Sequence, residues 1–203
     1  MRLRRSVGLA AVVGLGAAIG RRRHLHWNAT PEEIAAILPG DELLVHANLT
    51  ATRAITIRGS PADVWPWIAQ MGQGRGGLYS YDWLENLAGL DIRSADHIVD
   101  QWQVIRVGDP FHLHPDVALE IMLVEPGRAL VVQGRASVDR HPPYDYTWAF
   151  VLSGLGDVTR LVVRERYAYS AWWVRLLVEP IAAVSFVMSE KMLRGIRDRV
   201  EHA

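Results

Sequence analysis

An α+β fold, with a curved antiparallel sheet around one long C-terminal helix, is predicted by three features of the chain. One strand-like segment is followed directly by two helices. Five or six strand-like segments with short turns come next, and the chain closes on a helical pattern from about residue 171 to 200. The turns are short enough to join antiparallel neighbours. Strand and helix never alternate, which excludes a doubly wound nucleotide-binding sheet. A sheet of this kind encloses space between its concave face and the helix.

Each element has a local signature. In "NATPEEIAAILPGDELL", Thr30 reads as an N-cap, Pro31 as the first helical residue and Glu33 as the reciprocal cap; Pro39-Gly40 ends the helix. Residues 54–57 are strand-like, and Gly59 breaks the strand. Ser60-Pro61 with Asp63 opens a helix carrying Val64, Trp67, Ile68 and Met71 on one face, with Pro66 near its first turn. A glycine loop, residues 72–77, leads to a second helix in "YSYDWLENLAG". Asp82 and Glu85 lie three apart on it and share a face expected to be solvated. Residues 91–102 are irregular. Strands follow in "QVIRVGDPFHLHP", broken at Gly108-Asp109-Pro110, and in "VALEIMLV", "RALVVQGR", "YDYTWAFVLS" and "VTRLVVRERYAYS". The last helix is apolar in its first half and charged in its second. Arg175, Glu179 and Pro180 interrupt the apolar half, which suits a core helix and cavity wall better than a membrane span.

Half of the residues are hydrophobic and 22% are charged, which excludes a disordered chain and a polytopic membrane protein. Cysteine is absent, so disulfides and thiolate metal sites are excluded. The formal net charge of +0 hides an asymmetry. Arg2, Arg4, Arg5, Arg21, Arg22 and Arg23 crowd the first 26 residues, where no acid occurs, and the remainder is net acidic. An acidic body gives no basic footprint for nucleic acid. The uncharged run over residues 6–20, "SVGLAAVVGLGAAIG", lies between arginines and reads as a membrane anchor, although a span normally needs ~20 residues. The arginines directly after it disfavour cleavage and export. The organisation expected is therefore a basic, apolar anchor over residues 1–27, a linker with a short helix over 28–49, and a ligand-binding domain over 50–203. The expected location is membrane-associated, with the domain on the cytoplasmic side.

The loop "MGQGRGG" is not a phosphate cradle, because a helix precedes it and no Walker lysine follows. Gly72 suits a left-handed helix C-cap. The surplus glycines suggest mobility or close backbone approach. In this context "ATRAITIRGSPADVWPWIAQMGQGRGGLYSYDWLENLAG" resembles the opening of the START-like superfamily (SRPBCC), which includes polyketide cyclase/dehydrase and lipid-transport proteins. "FVMSEKMLRGIRDRVE" resembles the helix that closes such domains. The resemblance spans about residues 50 to 200. It implies a helix-grip (START/Bet v 1-like) fold with a hydrophobic cavity, and functions from lipid carriage to cyclase chemistry. No catalytic constellation of the enzyme branches is matched, and no cofactor is called for.

Candidate site residues follow from alternation. In the last strand, Arg160, Arg164 and Arg166 share one face, and Glu165, Tyr167 and Tyr169 the other. If the arginines face water, Glu165 points into the cavity as a candidate general acid/base. The alternative is an edge glutamate paired with an arginine on a neighbouring strand, such as Arg135. Tyr146, Trp148 and Phe150 form an aromatic stripe on the strand before. Trp67, Met71, Tyr79 and Tyr81 flank the glycine loop, whose Gly74 and Gly76 are candidate hinge positions of a gate. Val184 and Met188 represent the cavity wall on the last helix. His112 and His114, with Glu120 as third ligand, form a weak metal candidate. The cupin pattern that they echo is excluded by the early helices. Binding or transfer of a hydrophobic small molecule is the favoured function. A cyclase/dehydratase-type enzyme using Glu165, and a scaffold with a filled core, are the competing readings.

Overall fold

The computed structural model describes residues 20–87, 89–134 and 142–202. After a helical turn over residues 20–25, the chain forms α1 (Pro31–Ala35), a 3-10 turn (Asp41–Leu44) and β1 (Leu49–Arg58). Two helices follow, α2 (Pro61–Ala69) and α3 (Asp82–Leu87), and a second 3-10 turn (Asp100–Trp102). Then come β2 (Pro110–His114), β3 (Val117–Glu125), β4 (Ala129–Gly134), β5 (Asp145–Leu155), β6 (Val158–Ala168) and the 28-residue α4 (Val174–Glu201).

The predicted capping box of α1 forms, and the helix start expected at Ser60-Pro61 carries a second one. Thr30 and Glu33 close one at α1, and Ser60 and Asp63 close the other at α2, with a proline at the start of each helix. Each box satisfies two amide donors that a helix start otherwise leaves unpaired. The segment before Pro110 departs from expectation: only residues 110–114 of "QVIRVGDPFHLHP" enter the sheet.

The six strands form one antiparallel sheet in the order β1-β6-β5-β4-β3-β2, so the first strand returns beside the last. Register shifts between His112 and His114 on β2, and between Ile121 and Leu123 on β3, bend this end of the sheet. α4 lies across one face. With its long C-terminal helix held against a curved antiparallel sheet, the architecture is α+β and of the helix-grip type.

Packing along α4 has three parts. Met192, Leu193 and Ile196 join the main cluster with Trp67, Ile68, Tyr79 and Phe150. Val174, Val178 and Ala182 join a second cluster with Leu49, Ala51 and Tyr167. Between these contacts, Ile181, Val184, Ser185, Met188 and Ser189 border a cavity.

The opposite face of the sheet is covered by the segment that precedes β1. Arg160 pairs with Glu33 at 2.7 Å, and Arg164 and Arg166 converge on Asp41 at 2.6 and 3.0 Å. Arg164 also donates to the carbonyls of Glu33, Ile34 and Ala36, and it is 2% exposed. The alternation of β6 was read correctly from the sequence, but these arginines do not face water. The linker lies over them, and its acids and carbonyls satisfy guanidiniums that burial would otherwise penalise.

The expected membrane-associated location, with the domain cytoplasmic, is corrected. The proposed anchor over residues 6–20 lies outside the described residues except for Gly20. Among the described residues no helix is long and apolar enough to cross a membrane. The run itself is shorter than the ~20 residues that a hydrocarbon core requires.

Candidate ligand cavity

The cavity between the sheet and α4 measures about 590 Å³ and is lined mainly by apolar and aromatic side chains. This lies within the range of ~300–1,000 Å³ usual for small-molecule sites. β5 and β6 supply its aromatic wall, because paired residues of antiparallel strands share a face. Tyr146 pairs with Tyr167 and Trp148 with Glu165, so all four project toward the helix. The Tyr146 and Tyr167 rings pack with centroids 4.8 Å apart, and those of Trp148 and Phe150 at 4.7 Å. From α4, Val184 and Met188 face them; Val184 is 62% exposed and so stands at the mouth.

The cavity thus brings together six of the candidate residues: Tyr146, Trp148, Glu165, Tyr167, Val184 and Met188. Trp67, Met71, Tyr79 and Phe150 lie in the packed core beside it. Tyr79 donates to the Trp67 carbonyl at 2.9 Å, and burial pushes its phenol up to about 12. Tyr81 lies outside the cavity lining, with Lys191 6.0 Å above its ring.

Gly74 and Gly76 also lie away from the lining, and Leu78 and Ser80 reach it instead. The glycine loop is closed on itself by two reciprocal amide bonds between Gly72 and Gly77, each 3.0 Å long. A Cβ at Gly76 would come within 2.8 Å of the Gln70 carbonyl, and one at Gly77 within 2.8 Å of the Ser94 backbone. Gly77 also holds φ +73. Close approach at Gly76 and Gly77, and left-handed backbone at Gly74 and Gly77, account for these glycines.

Glu165 is 1% exposed and fully engaged. Arg53 of β1 donates to Oε1 at 2.8 Å, Ser189 to Oε1 at 3.0 Å, Ser185 at 2.6 Å and Tyr167 to Oε2 at 3.2 Å. Arg53, also 1% exposed, donates further to the Ser189 hydroxyl and to the carbonyls of His24 and Ala182. The partner is therefore Arg53; Arg135 lies outside the described residues. Burial, and then the negative charge of Glu165, raises the Tyr146 and Tyr167 phenols well above their usual range, so both stay neutral donors.

Glu85 was expected on a solvated helix face. It is instead 2% exposed, lines the cavity, and has no hydrogen-bond partner at either carboxylate oxygen. Its pKa is raised to about 7, first by burial and then by the nearby charge of Asp82, with a smaller opposing pull from Ser80. The Ser80 hydroxyl donates to the Met188 carbonyl at 3.1 Å. Asp82 is itself satisfied by the backbone and hydroxyl of Ser94 at 2.8 and 2.6 Å. Trp148 leaves its buried indole N–H unpaired as well.

His112 and His114 do not share a regular strand face, because the extra residue between them breaks the alternation. Glu120 pairs in register with Pro110 rather than with either histidine. Among the described residues no group of three or more potential ligands is placed to hold a metal ion.

The sequence matches no protein-family model, and a search of curated proteins returns no match. Solved structures of similar outline include a hypothetical protein, jhp0584, from Helicobacter pylori, 10% identical over 81% of this chain and 95% of its own, with a TM-score of 0.49. CalU16 from Micromonospora echinospora is 19% identical over 75% of this chain and 84% of its own, with a TM-score of 0.36. DynU16, a protein of the dynemicin biosynthetic locus, is 11% identical over 71% of this chain and 46% of its own, with a TM-score of 0.40. These are likenesses at low identity; the fold assignment rests on the strand order and helix placement described above.

Proposed function

We propose that the protein binds a hydrophobic small molecule, for storage, transfer or presentation, in the cavity between β5, β6 and α4. The observation that carries this reading is a space of about 590 Å³, walled mainly by apolar and aromatic groups, beside a core of buried side chains. Burial of apolar ligand surface there gains ~25 cal/mol per Å² before the costs of association. The resemblance to lipid-transport and polyketide cyclase/dehydrase proteins points the same way.

Glu165 bears on the competing cyclase/dehydratase reading. A general base needs a free lone pair aimed at substrate. Here the carboxylate is held by Arg53, Ser185, Ser189 and Tyr167, which supports a role in fixing α4 to the sheet.

The test is titration with Nile red, an uncharged apolar fluorophore, beside mass spectrometry of an organic extract of the purified protein. The wild type should show saturable fluorescence. Ala118→Trp, which fills the cavity from β3, should lower the affinity at least about tenfold, equivalent to ~1.4 kcal/mol, while circular dichroism stays unchanged. Equal affinity in the two proteins, or no saturable signal in either, would overturn the proposal.

A further inference from the structure

Among the described residues, Glu85 is a buried acid whose two carboxylate oxygens both lack a hydrogen-bond partner. It projects from α3 into an otherwise largely apolar cavity, nine-tenths and more removed from water, with both oxygens unpaired. An unpaired buried carboxyl costs free energy that a folded chain normally avoids. The other cavity acid shows how the fold answers such a group when the partner is its own. Glu165 receives a guanidinium and three hydroxyls, whereas neither oxygen of Glu85 has a partner in good hydrogen-bond geometry, and the Ser80 hydroxyl near it donates to the Met188 carbonyl instead.

The charges around Glu85 define the missing partner. Asp82, one turn back on α3, adds negative charge, and Arg53 of β1 is committed to Glu165, Ser189, His24 and Ala182. The Ser80 hydroxyl is committed to Met188. A ligand hydroxyl would satisfy one oxygen and leave the charge. An ammonium brings several N–H donors and the neutralising charge together, in a site where charge-assisted bonds are about twice as strong as neutral ones.

We infer that the cavity takes an amphiphilic amine, with its apolar body between β5, β6 and α4 and its protonated nitrogen on the carboxylate of Glu85. This rests on the hydrophobic-ligand reading above and names the head group. Glu85 is thereby a specificity residue for the ligand's polar end.

The experiment compares three probes with one alkyl chain and different head groups: decylamine, decanol and decanoate. Each is titrated calorimetrically at pH 8, below its aggregation concentration, into wild type and Glu85→Gln. The wild type should bind decylamine about tenfold or more tightly than decanol, since hydrogen bonds between charged groups are about twice as strong as neutral ones. Decanoate should bind most weakly. Glu85→Gln should lose the amine preference, binding decylamine no more tightly than decanol, with an unchanged circular dichroism spectrum showing that the variant is folded. If decanol binds but the amine gains nothing over it in wild type, or keeps its advantage in Glu85→Gln, the head-group assignment is wrong and the hydrophobic cavity stands. If none of the three binds, the hydrophobic-ligand reading fails, and the head-group assignment with it.

Discussion

At the scale of single residues, the two cavity glutamates have opposite fates. Glu165 and Arg53 are both 1% exposed and bonded at 2.8 Å. Removing one member of a buried pair strands the other charge, which typically costs ~3–5 kcal/mol, whereas replacing both with apolar groups of similar volume is often near neutral. Arg53→Met should therefore lower the urea midpoint sharply, and Arg53→Met with Glu165→Leu should recover most of the loss; additive losses in the double variant would contradict this account. Alternation along β6 was enough to place Glu165 on the inward face. Arg53 was hidden because its partner is 112 positions away and its own strand reads, residue by residue, like any half-exposed strand. Glu85 was hidden for the converse reason. Three-residue spacing on a short polar helix says which side chains neighbour one another, but not that the helix will dock against a cavity.

At the scale of elements, periodicity and punctuation carried most of the information. Capping residues announced α1 and α2, and glycine-containing or proline-containing turns separated the β-strands. What they missed are contacts between elements. Tyr79 adopts φ 56, a left-handed backbone unusual for tyrosine, where its carbonyl meets α4. A Cβ at Gly195 would overlap that carbonyl oxygen. In an exposed helix, glycine to alanine gains up to ~1 kcal/mol. Here the sign should reverse. Gly195→Ala should destabilise by ~1–3 kcal/mol through overpacking, seen as a melting temperature lower by several degrees. A rise would mean that the loop around Tyr79 yields easily. The glycine loop teaches the same lesson. Its composition suggested a gate, but the reasons for Gly76 and Gly77 are backbone atoms of Gln70 and Ser94, which no local pattern reveals.

At the scale of the whole molecule, Glu85 should leave a mark on stability as a function of pH. Its folded pKa, about 7, lies above its ordinary 4.5. The folded state therefore holds this proton more tightly than the unfolded chain does. The resulting stability is fully present below about pH 4.5 and is lost as pH rises toward 7. Asp82 is the charged group that contributes to this shift, after burial. Glu85→Gln removes the titration. Its melting temperature relative to wild type should rise by several degrees from about pH 5 to pH 8, in the absence of ligand. Parallel melting curves across that range would show that Glu85 is solvated in the free protein.

The sheet is open, with β1 and β2 at its rims, and both rims are sheltered by irregular chain. At β1, the Ala54 amide donates to the Trp27 carbonyl at 3.1 Å, and the Ala54 carbonyl accepts from the Asn28 side chain at 3.0 Å. At β2, the Gln73 amide in the glycine loop donates to the His112 carbonyl at 2.8 Å. Free strand rims invite another chain to add itself by backbone pairing, the first step toward self-association. The glycine loop that resembled a door to the cavity thus serves at the rim as a bumper, and its compactness bears on whether concentrated protein stays dispersed.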